Sequence, residues 1–564
     1  MRFFSFQSST PWLLALLALS GCAGGDGDPE DSLPTPAASP FVADDSDLVD
    51  PDSHYLPGVS LLNVRLSAVA GSTPTIAEVN ADEDPDDDSE PEMKVHFTAD
   101  DYPDDGKPAN ATLKLRGNTS RLAGQKSYRL KLDSGVARWR GEQVLQLNKH
   151  PFDLTRVRNQ LAFELMRDIP HLSSLRTQFI HITFDEDGDP KTPDVDYGLY
   201  THVEKMGRDY LASRGYDTAS NLYKAEDFAF RPDPRLELTP TGAPLDKKAF
   251  EQVLGIENGR DHRKLLQMID AISDESTDFD AEFKRYFNRN NYLAWFAFNI
   301  LLGNHDTVNQ NFALYQPAGG ERFYFLPWDY DGSLGFEDQP DNTKHGAMFD
   351  EWELGLSNWW GVPLHRRFIQ QPGNLAALVA AVQELRTRYL SQAQLAARLE
   401  SYRPLVEPLL TTVPDFRYLP TLTPRVEKEK RKQEWVGEYL RLATTVDTHY
   451  QRFMTLLQKP MPFWQAAEVV DGELVLSWEE AVDLQRDAVT YQVEVATRPD
   501  FSADSLRFSR SHLAGTRVST SVLPAGTYYL RVTATDSRGH AQRAFDRTYQ
   551  GRKAYFGVLE FTLP

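Results

Sequence analysis

The residues "ILLGNHDTVNQNFALYQPAGGERFYFLPWDYDGSLG", Ile300 to Gly335, constrain this chain more than any other stretch. An apolar run breaks at Gly303 and gives way to His305, Asp306, Asn309 and Asn311. Two further apolar runs, "NFALYQ" and "ERFYFLPWDYD", flank the turn formers "PAGG". Runs of this kind joined by a short connection pair as an antiparallel hairpin. If Gln316 faces Glu321, Asp329 stands opposite Val308 and Asp331 opposite Asp306, just past the paired ladder. Residues two apart on a strand share a face, so Asp329 and Asp331 point together toward the loop holding Asp306 and Asn311. Three carboxylates and an amide then converge, an arrangement that repels itself without a cation. Such oxygen ligands suit Mg2+ or Mn2+, which bridge substrate phosphates, whereas Zn2+ sites draw on cysteine and clustered histidine.

A second pattern agrees. Protein kinases separate a catalytic Asp from a metal-binding Asn as in H-R-D-x-x-x-x-N, with a further metal-binding Asp beyond a hairpin. "HDTVNQN" gives Asp306 and Asn311 that separation, and Asp329 follows in "WDYD", although the Arg and the D-F-G triplet are missing. Upstream, "LKLRGNTS" and "QKSYRLKLD" alternate as strands, and "VLQLNKHPFDLTRVRNQLAFELMRDI" turns helical at Leu154, Val157, Leu161 and Leu165, with Asp153 as its N-cap. "YGLYTHVEKM" and "NLYKAED" follow as strands, and residues from about 349 to 457 read as mostly helical. In "FDEDGDP", Asp185, Asp187 and Asp189 alternate as in a calcium loop, but Pro190 stands where an EF-hand needs glycine, so a hairpin tip is expected.

This ordered series, running from Val59 to Leu457, resembles the spore-coat protein H (CotH) kinase family. The resemblance implies an α+β fold, an atypical two-lobed protein-kinase-like domain with ATP as phosphoryl donor and Mg2+ or Mn2+ as cofactor. It implies that Asp306 orients or deprotonates an acceptor hydroxyl and that Asn311 and Asp329 hold the metal, with Asp331 as ligand of a second ion or as an outer support of the first; which aspartate is the primary ligand stays open. Nucleotide-binding roles fall to Lys126 or Lys131, on opposite strand faces with Lys126 favoured, to Arg116 beside the Gly117-Asn118 turn, to Glu164 as the helix partner of that lysine, and to Glu204 in the strand leading to the hinge.

The chain has 564 residues, enough for a large domain and an accessory module. Its net charge of −22 argues against duplex nucleic acid, which needs clustered Lys and Arg. The opening "MRFFSFQSSTPWLLALLALSGCAGG" reads as a lipoprotein signal over residues 1–21, with Cys22, the single cysteine, as lipid acceptor. Its apolar stretch is too short for a permanent span. The expected protein is therefore extracytoplasmic, at the outer membrane or cell surface, and touches membrane only through that lipid. Residues 22–54 read as a disordered acidic tether and 55–460 as the kinase-like domain. Residues 465–564 resemble an all-β fibronectin type III sandwich through Trp478, Tyr491 and the run around Tyr529. Two functions fit: a surface-anchored kinase acting on Ser or Thr of a protein acceptor, with Ser-rich targets as candidates, or a non-catalytic adhesion protein that uses the fold to bind a partner.

Overall fold

The computed structural model describes residues 39–42, 48, 60–84, 90–344, 347–551 and 553–564. The expected signal, Cys22 and nearly all of the tether lie outside these residues. The described chain mixes helix and sheet.

Seven strands come first: β1 (Leu61–Ala68), β2 (Met93–Ala99), β3 (Ala111–Leu115), β4 (Tyr128–Leu132), β5 (Val144–Asn148), β6 (Thr177–Asp185) and β7 (Val195–Val203). They close into a barrel of order β1-β2-β3-β4-β5-β7-β6, sealed by parallel pairing of β1 with β6. Closure satisfies edge N–H and C=O groups that an open sheet would expose. The alternation along β3 and β4 sends Leu113, Leu115, Leu130 and Leu132 inward, where they meet Phe97, Leu147 and Ile182. The acidic "FDEDGDP" segment is the β6–β7 hairpin tip, where the Asp185 carboxylate accepts the Gly188 N–H at 2.8 Å.

The helix expected from Leu154 begins only at Arg158 and ends at Arg167. His150 (φ 48°) and Arg156 (φ 55°) take left-handed backbone, which interrupts any earlier helix. Asp153 is not the N-cap, yet its carboxylate accepts the Arg158 N–H at 3.2 Å and so still satisfies a first-turn donor. This helix joins the larger core rather than the barrel interior.

That core surrounds a four-stranded sheet, β11-β10-β8-β9, built from β8 (Asn221–Ala225), β9 (Leu254–Asn258), β10 (Phe312–Gln316) and β11 (Tyr324–Pro327). The helix Arg289–Leu302 is buried almost all round, as a central helix must be when it is apolar on every face. Asn288 caps its start, and Gly303 at φ 60° ends it. A Cβ at Gly303 would also collide with the His449 ring, so only glycine fits.

Beyond Leu457, strands Gln465–Val470, Glu473–Trp478 and Arg517–Ser521 form one sheet, and strands including Thr490–Ala496, Leu506–Leu513 and Gly526–Thr535 form another. Trp478, Tyr491, Val493 and Val532 pack between them. The module is docked: Phe545 meets Trp352 edge-on at 4.9 Å, and the Met461 N–H donates to Val482 at 2.8 Å.

Barrel and helical region meet at Asp415, which is fully buried. Lys149 Nζ and Arg156 Nη1 each reach Asp415 Oδ1 at 2.7 Å, Gln125 donates to it at 3.0 Å, and the Leu199 N–H donates to Oδ2 at 2.7 Å. Burial pushes this carboxyl up, but the charges of Lys149 and Arg156 outweigh it and hold it below its ordinary value. Asp415→Ala would strand two buried cations. Chemical denaturation of the variant is expected to show a loss of about 3–5 kcal/mol, the cost of breaking a buried pair from one side; an unchanged midpoint would contradict the hub role.

Candidate functional site

The hairpin β10–β11 forms, with Phe312 opposite Pro327 and Tyr315 opposite Tyr324. The sequence-based register, with Gln316 facing Glu321, is thus displaced by two places. A slip of two keeps the paired side chains on their faces, but β11 ends at Pro327, so the strand alternation expected to align Asp329 and Asp331 does not reach them. Both strands leave the ladder through left-handed residues, Asn311 at φ 57° and Asp329 at φ 51°. Asn and Asp tolerate this backbone better than other non-glycine residues.

The loop holding Asp306 is pinned through its backbone. Asn358 Nδ2 donates to the His305 carbonyl at 2.9 Å, Trp359 Nε1 to the Thr307 carbonyl at 3.2 Å, and the Phe228 N–H to the Asn309 carbonyl at 2.6 Å. Asp306 Oδ2 accepts from Asn311 Nδ2 at 2.8 Å and Oδ1 from Gln310 Nε2 at 2.5 Å. Across from it, Asp331 Oδ2 lies 3.2 Å from His150 Nδ1. Asn159 approaches His150 Nε2 at 3.3 Å through Nδ2, while its Oδ1 accepts the Tyr330 N–H at 3.0 Å. The Nδ1 proton of His150 then points at Asp331.

The carboxylates feel one another. Burial, then the Asp331 charge, pushes Asp329 up to about 7, against the opposing charges of His150, Arg116 and Lys224. Burial also drives Asp306 up to about 6, opposed by the Gln310 and Asn311 hydrogen bonds and reinforced by Asp331. Asp306 is ringed by protein atoms but remains solvent-exposed, which bounds that rise. At Asp331 burial acts upward too, but hydrogen bonds from His150 and Asp329 outweigh it and hold the group below its ordinary value.

Among the described residues, trios of His, Cys, Asp or Glu whose ligand atoms all lie within 4.8 Å of one another occur at His96, Asp104 and Asp105 and at Asp483, Asp487 and Asp536, not here. The acids of this site approach in pairs, which suits Mg2+: it takes one or two carboxylates and completes its shell with water and phosphate oxygens. Asp329, Asp331 and Asn311 offer only hard oxygen donors and fit such an ion.

The expected nucleotide-binding residues divide. Arg116 belongs to the site: its charge acts on Asp329 and Asp331, and its Nη1 donates to Asn148. Lys126 instead donates to the Arg121 carbonyl and lies 3.5 Å from Glu83. Lys131 is exposed on β4, opposite Thr112 and Val144. Glu164 meets neither lysine; Arg398 lies 2.9 Å from its carboxylate and Gln160 donates to it at 2.9 Å. Glu204 is buried against Arg214 at 2.8 Å and accepts the Arg176 N–H at 3.1 Å, so its side chain works in the core. His150 and Asn159 escaped sequence reasoning, because a polar residue beside a helix start carries no mark of the partner it will meet. Trp328 is half-buried against the larger core.

The raised Asp329 group fixes the sign of a stability test. The folded protein holds a proton there that the unfolded chain, with an Asp pKa of about 3.9, has already released. Through this group the metal-free protein loses stability as pH rises from about 4 toward about 7. At pH 8, Asp329→Asn is therefore expected to raise the thermal midpoint of metal-free protein, by about 1–2 kcal/mol of stability, while removing the added stability that Mg2+ gives the parent. Scanning calorimetry with and without Mg2+ checks both; a lower midpoint for the metal-free variant would refute the repulsion.

A family model described as CotH kinase protein matches residues 113–451, more than half of the chain. Among curated proteins, the inner spore coat protein H of Bacillus subtilis (strain 168) is 26% identical over 233 residues, an alignment covering 41% of this chain and 60% of that protein. The match thus spans less than two thirds of that relative. Among solved structures, the Helicobacter pylori proinflammatory kinase CtkA is 11% identical, with 61% of this chain and 94% of the other covered at a TM-score of 0.22. The Shewanella oneidensis MR-1 HipA, HipB and operator DNA complex contains a chain 12% identical, with 58% and 66% covered at a TM-score of 0.25. Scores this low carry no statement about a shared fold.

Proposed function

The chain belongs to the CotH kinase family, and from that premise we propose that it transfers the γ-phosphoryl group of ATP to a Ser or Thr hydroxyl of a protein acceptor, in an atypical two-lobed kinase domain. The observation that carries this reading is the Asp306–Asn311 hydrogen bond facing the Asp329–Asp331 pair, two carboxylates held together at an energetic cost. A surface that merely binds a partner has no need to sustain that repulsion.

Phosphoryl transfer depends on positioning and charge neutralisation. Asp306 is the group that takes the acceptor hydroxyl: it is exposed, anchored by Asn311 and Gln310, and its raised pKa makes it a better base than an ordinary aspartate. Asn311 and Asp329 hold Mg2+ or Mn2+, and Asp331, oriented by His150, adds a ligand or steadies Asp329. When bound, the metal neutralises charge on the phosphates. Arg116 supplies positive charge from the barrel side.

The remaining assignments belong to the same proposal. The protein is lipid-anchored through Cys22 at the outer membrane or cell surface. Its C-terminal module is a fibronectin type III-like spacer, supported by the two-sheet order, by Trp478 in the core, and by the Tyr528 hydroxyl donating to the Pro524 carbonyl at 2.8 Å, as in a tyrosine corner.

Two measurements test the reading. With Mg2+ and radiolabelled ATP, the parent is expected to label itself or a Ser-rich acceptor. Asp306→Asn should lower turnover by about 10²–10⁴-fold with nucleotide affinity largely kept, whereas Asp329→Ala should impair both. Equal turnover in the parent and Asp306→Asn would end the proposal. Separately, Cys22→Ser should abolish incorporation of labelled fatty acid and release the protein from membranes; unchanged labelling would remove the anchor.

A further inference from the structure

The loop between the strands Glu473–Trp478 and Thr490–Ala496 carries Asp483 and Asp487 in "AVDLQRDAV", and the turn after the strand Gly526–Thr535 opens with Asp536. Thr490 pairs with Thr535, so the two segments leave the same end of one sheet side by side. There one carboxylate oxygen from each of Asp483, Asp487 and Asp536 lies within 4.8 Å of the other two. Oxygens bound to a single Ca2+ at about 2.3–2.6 Å stand no more than about 5 Å apart, and the trio falls inside that limit.

Acids gather on many protein surfaces; what sets these apart is burial and an unmet bond. Asp483 is only 8% exposed. Its Oδ1 accepts the Gln485 and Asp487 N–H groups, each at 2.9 Å, but its Oδ2 is buried and meets no donor. A buried carboxylate oxygen in that state has given up its hydration for nothing, which calls for a cation or a proton. Two basic groups reach the trio without supplying it: Arg538 Nε lies 3.0 Å from Asp487 Oδ2, and His540 Nδ1 lies 2.8 Å from Asp536 Oδ2. Both are more exposed than the acids they touch, and neither donates to Asp483 Oδ2. The Asp536 carboxylate is held from behind as well, its Oδ1 accepting the Arg538 and His540 N–H groups at 2.9 and 2.8 Å. Burial, joined by the charges of Asp487 and Asp536, pushes the Asp483 carboxyl up against the hydrogen bonds of its own turn.

We propose that Asp483, Asp487 and Asp536 form a Ca2+ site that fastens the C-terminal module where it joins the helical region. Asp483 gives the ion its unpaired oxygen, Asp487 and Asp536 give one each, and water completes the shell. Ca2+ accepts such irregular sets of oxygens, whereas Mg2+ demands a near-ideal octahedron that acids fixed by their own turns do not offer. The same loop makes the junction: the Val482 carbonyl accepts the Met461 N–H at 2.8 Å, Gln485 Nε2 donates to the Leu457 carbonyl at 3.1 Å, and Val482 and Leu484 pack against the larger core. A cation that orders this loop therefore stiffens the contact between the module and the end of the helix Thr445–Leu456. The site shares no residue with the Asp306–Asp331 cluster and does not rest on the kinase reading.

Calorimetric titration with CaCl2 tests the site, on the full chain carrying Asp329→Asn so that the other acid cluster is weakened as a competitor. Ca2+ is expected to bind with a Kd of about 0.1–1 mM, the range of extracellular modules, and to raise the thermal midpoint of that protein. Adding Asp483→Asn, which keeps the Oδ1 acceptor of its turn, should abolish both effects. Asp487→Asn, at the more exposed position, should weaken Ca2+ by about 10- to 100-fold and serves if the first variant does not fold. A parent that ignores Ca2+, as it will if Asp483 simply holds a proton, or a Ca2+ affinity unchanged in the variants, overturns the site. Equal affinity for Mg2+ overturns the choice of ion.

Discussion

The buried carboxylate of Asp415 holds the lower levels of this structure in place. It accepts from Lys149 after β5, from Arg156 before the helix Arg158–Arg167, from Gln125 before β4 and from the Leu199 N–H of β7. Gly198 must be glycine because a Cβ would run into this carboxylate. Burying one anion against two cations is tolerable only when the remaining lone pairs and protons are also satisfied. Here the Lys149 amine spends its other hydrogens on the Tyr197 and Leu199 carbonyls. The geometry then passes along the chain: the residue after Lys149 is His150, whose left-handed backbone turns its ring toward Asp331. Docking of the barrel and shaping of the acid cluster therefore share one segment.

The acid cluster opposes the stability of the protein that carries it. Asp329 sits beside Asp331 with its pKa raised to about 7, and both Asn311 and Asp329 take a backbone that few residues adopt without glycine. These strains persist because the surroundings over-determine them: Asn159 ties His150 to the Tyr330 backbone, and Asn358, Trp359 and Phe228 pin the facing loop. A cation relieves the repulsion, and positive side chains on the far side call for an anion with it. Arg116 supplies such positive charge from the barrel side, acting on both aspartates.

Legibility in the sequence followed the range of the interactions. The β10–β11 hairpin and the five-residue step from Asp306 to Asn311 are local, set by strand periodicity and turn residues, and were readable in advance, whereas β11 ends before Asp329 and Asp331, so no strand face sets their approach. Gly303 announced the end of a helix for an equally local reason: only glycine takes the left-handed turn against the His449 ring. The partners of long charged side chains were not readable. Glu164 found Arg398, Glu204 found Arg214, and Lys126 found the Arg121 carbonyl, because such groups take whichever opposite charge or carbonyl the packing brings within reach. Sequence by itself thus determined the hairpin, the helix stop at Gly303 and the acids that follow the paired strands. Tertiary structure alone decided the long-range partners, since Lys224 meets the Trp328 ring only after β8 pairs with β10 across nearly ninety residues of intervening chain, a contact that no local periodicity encodes.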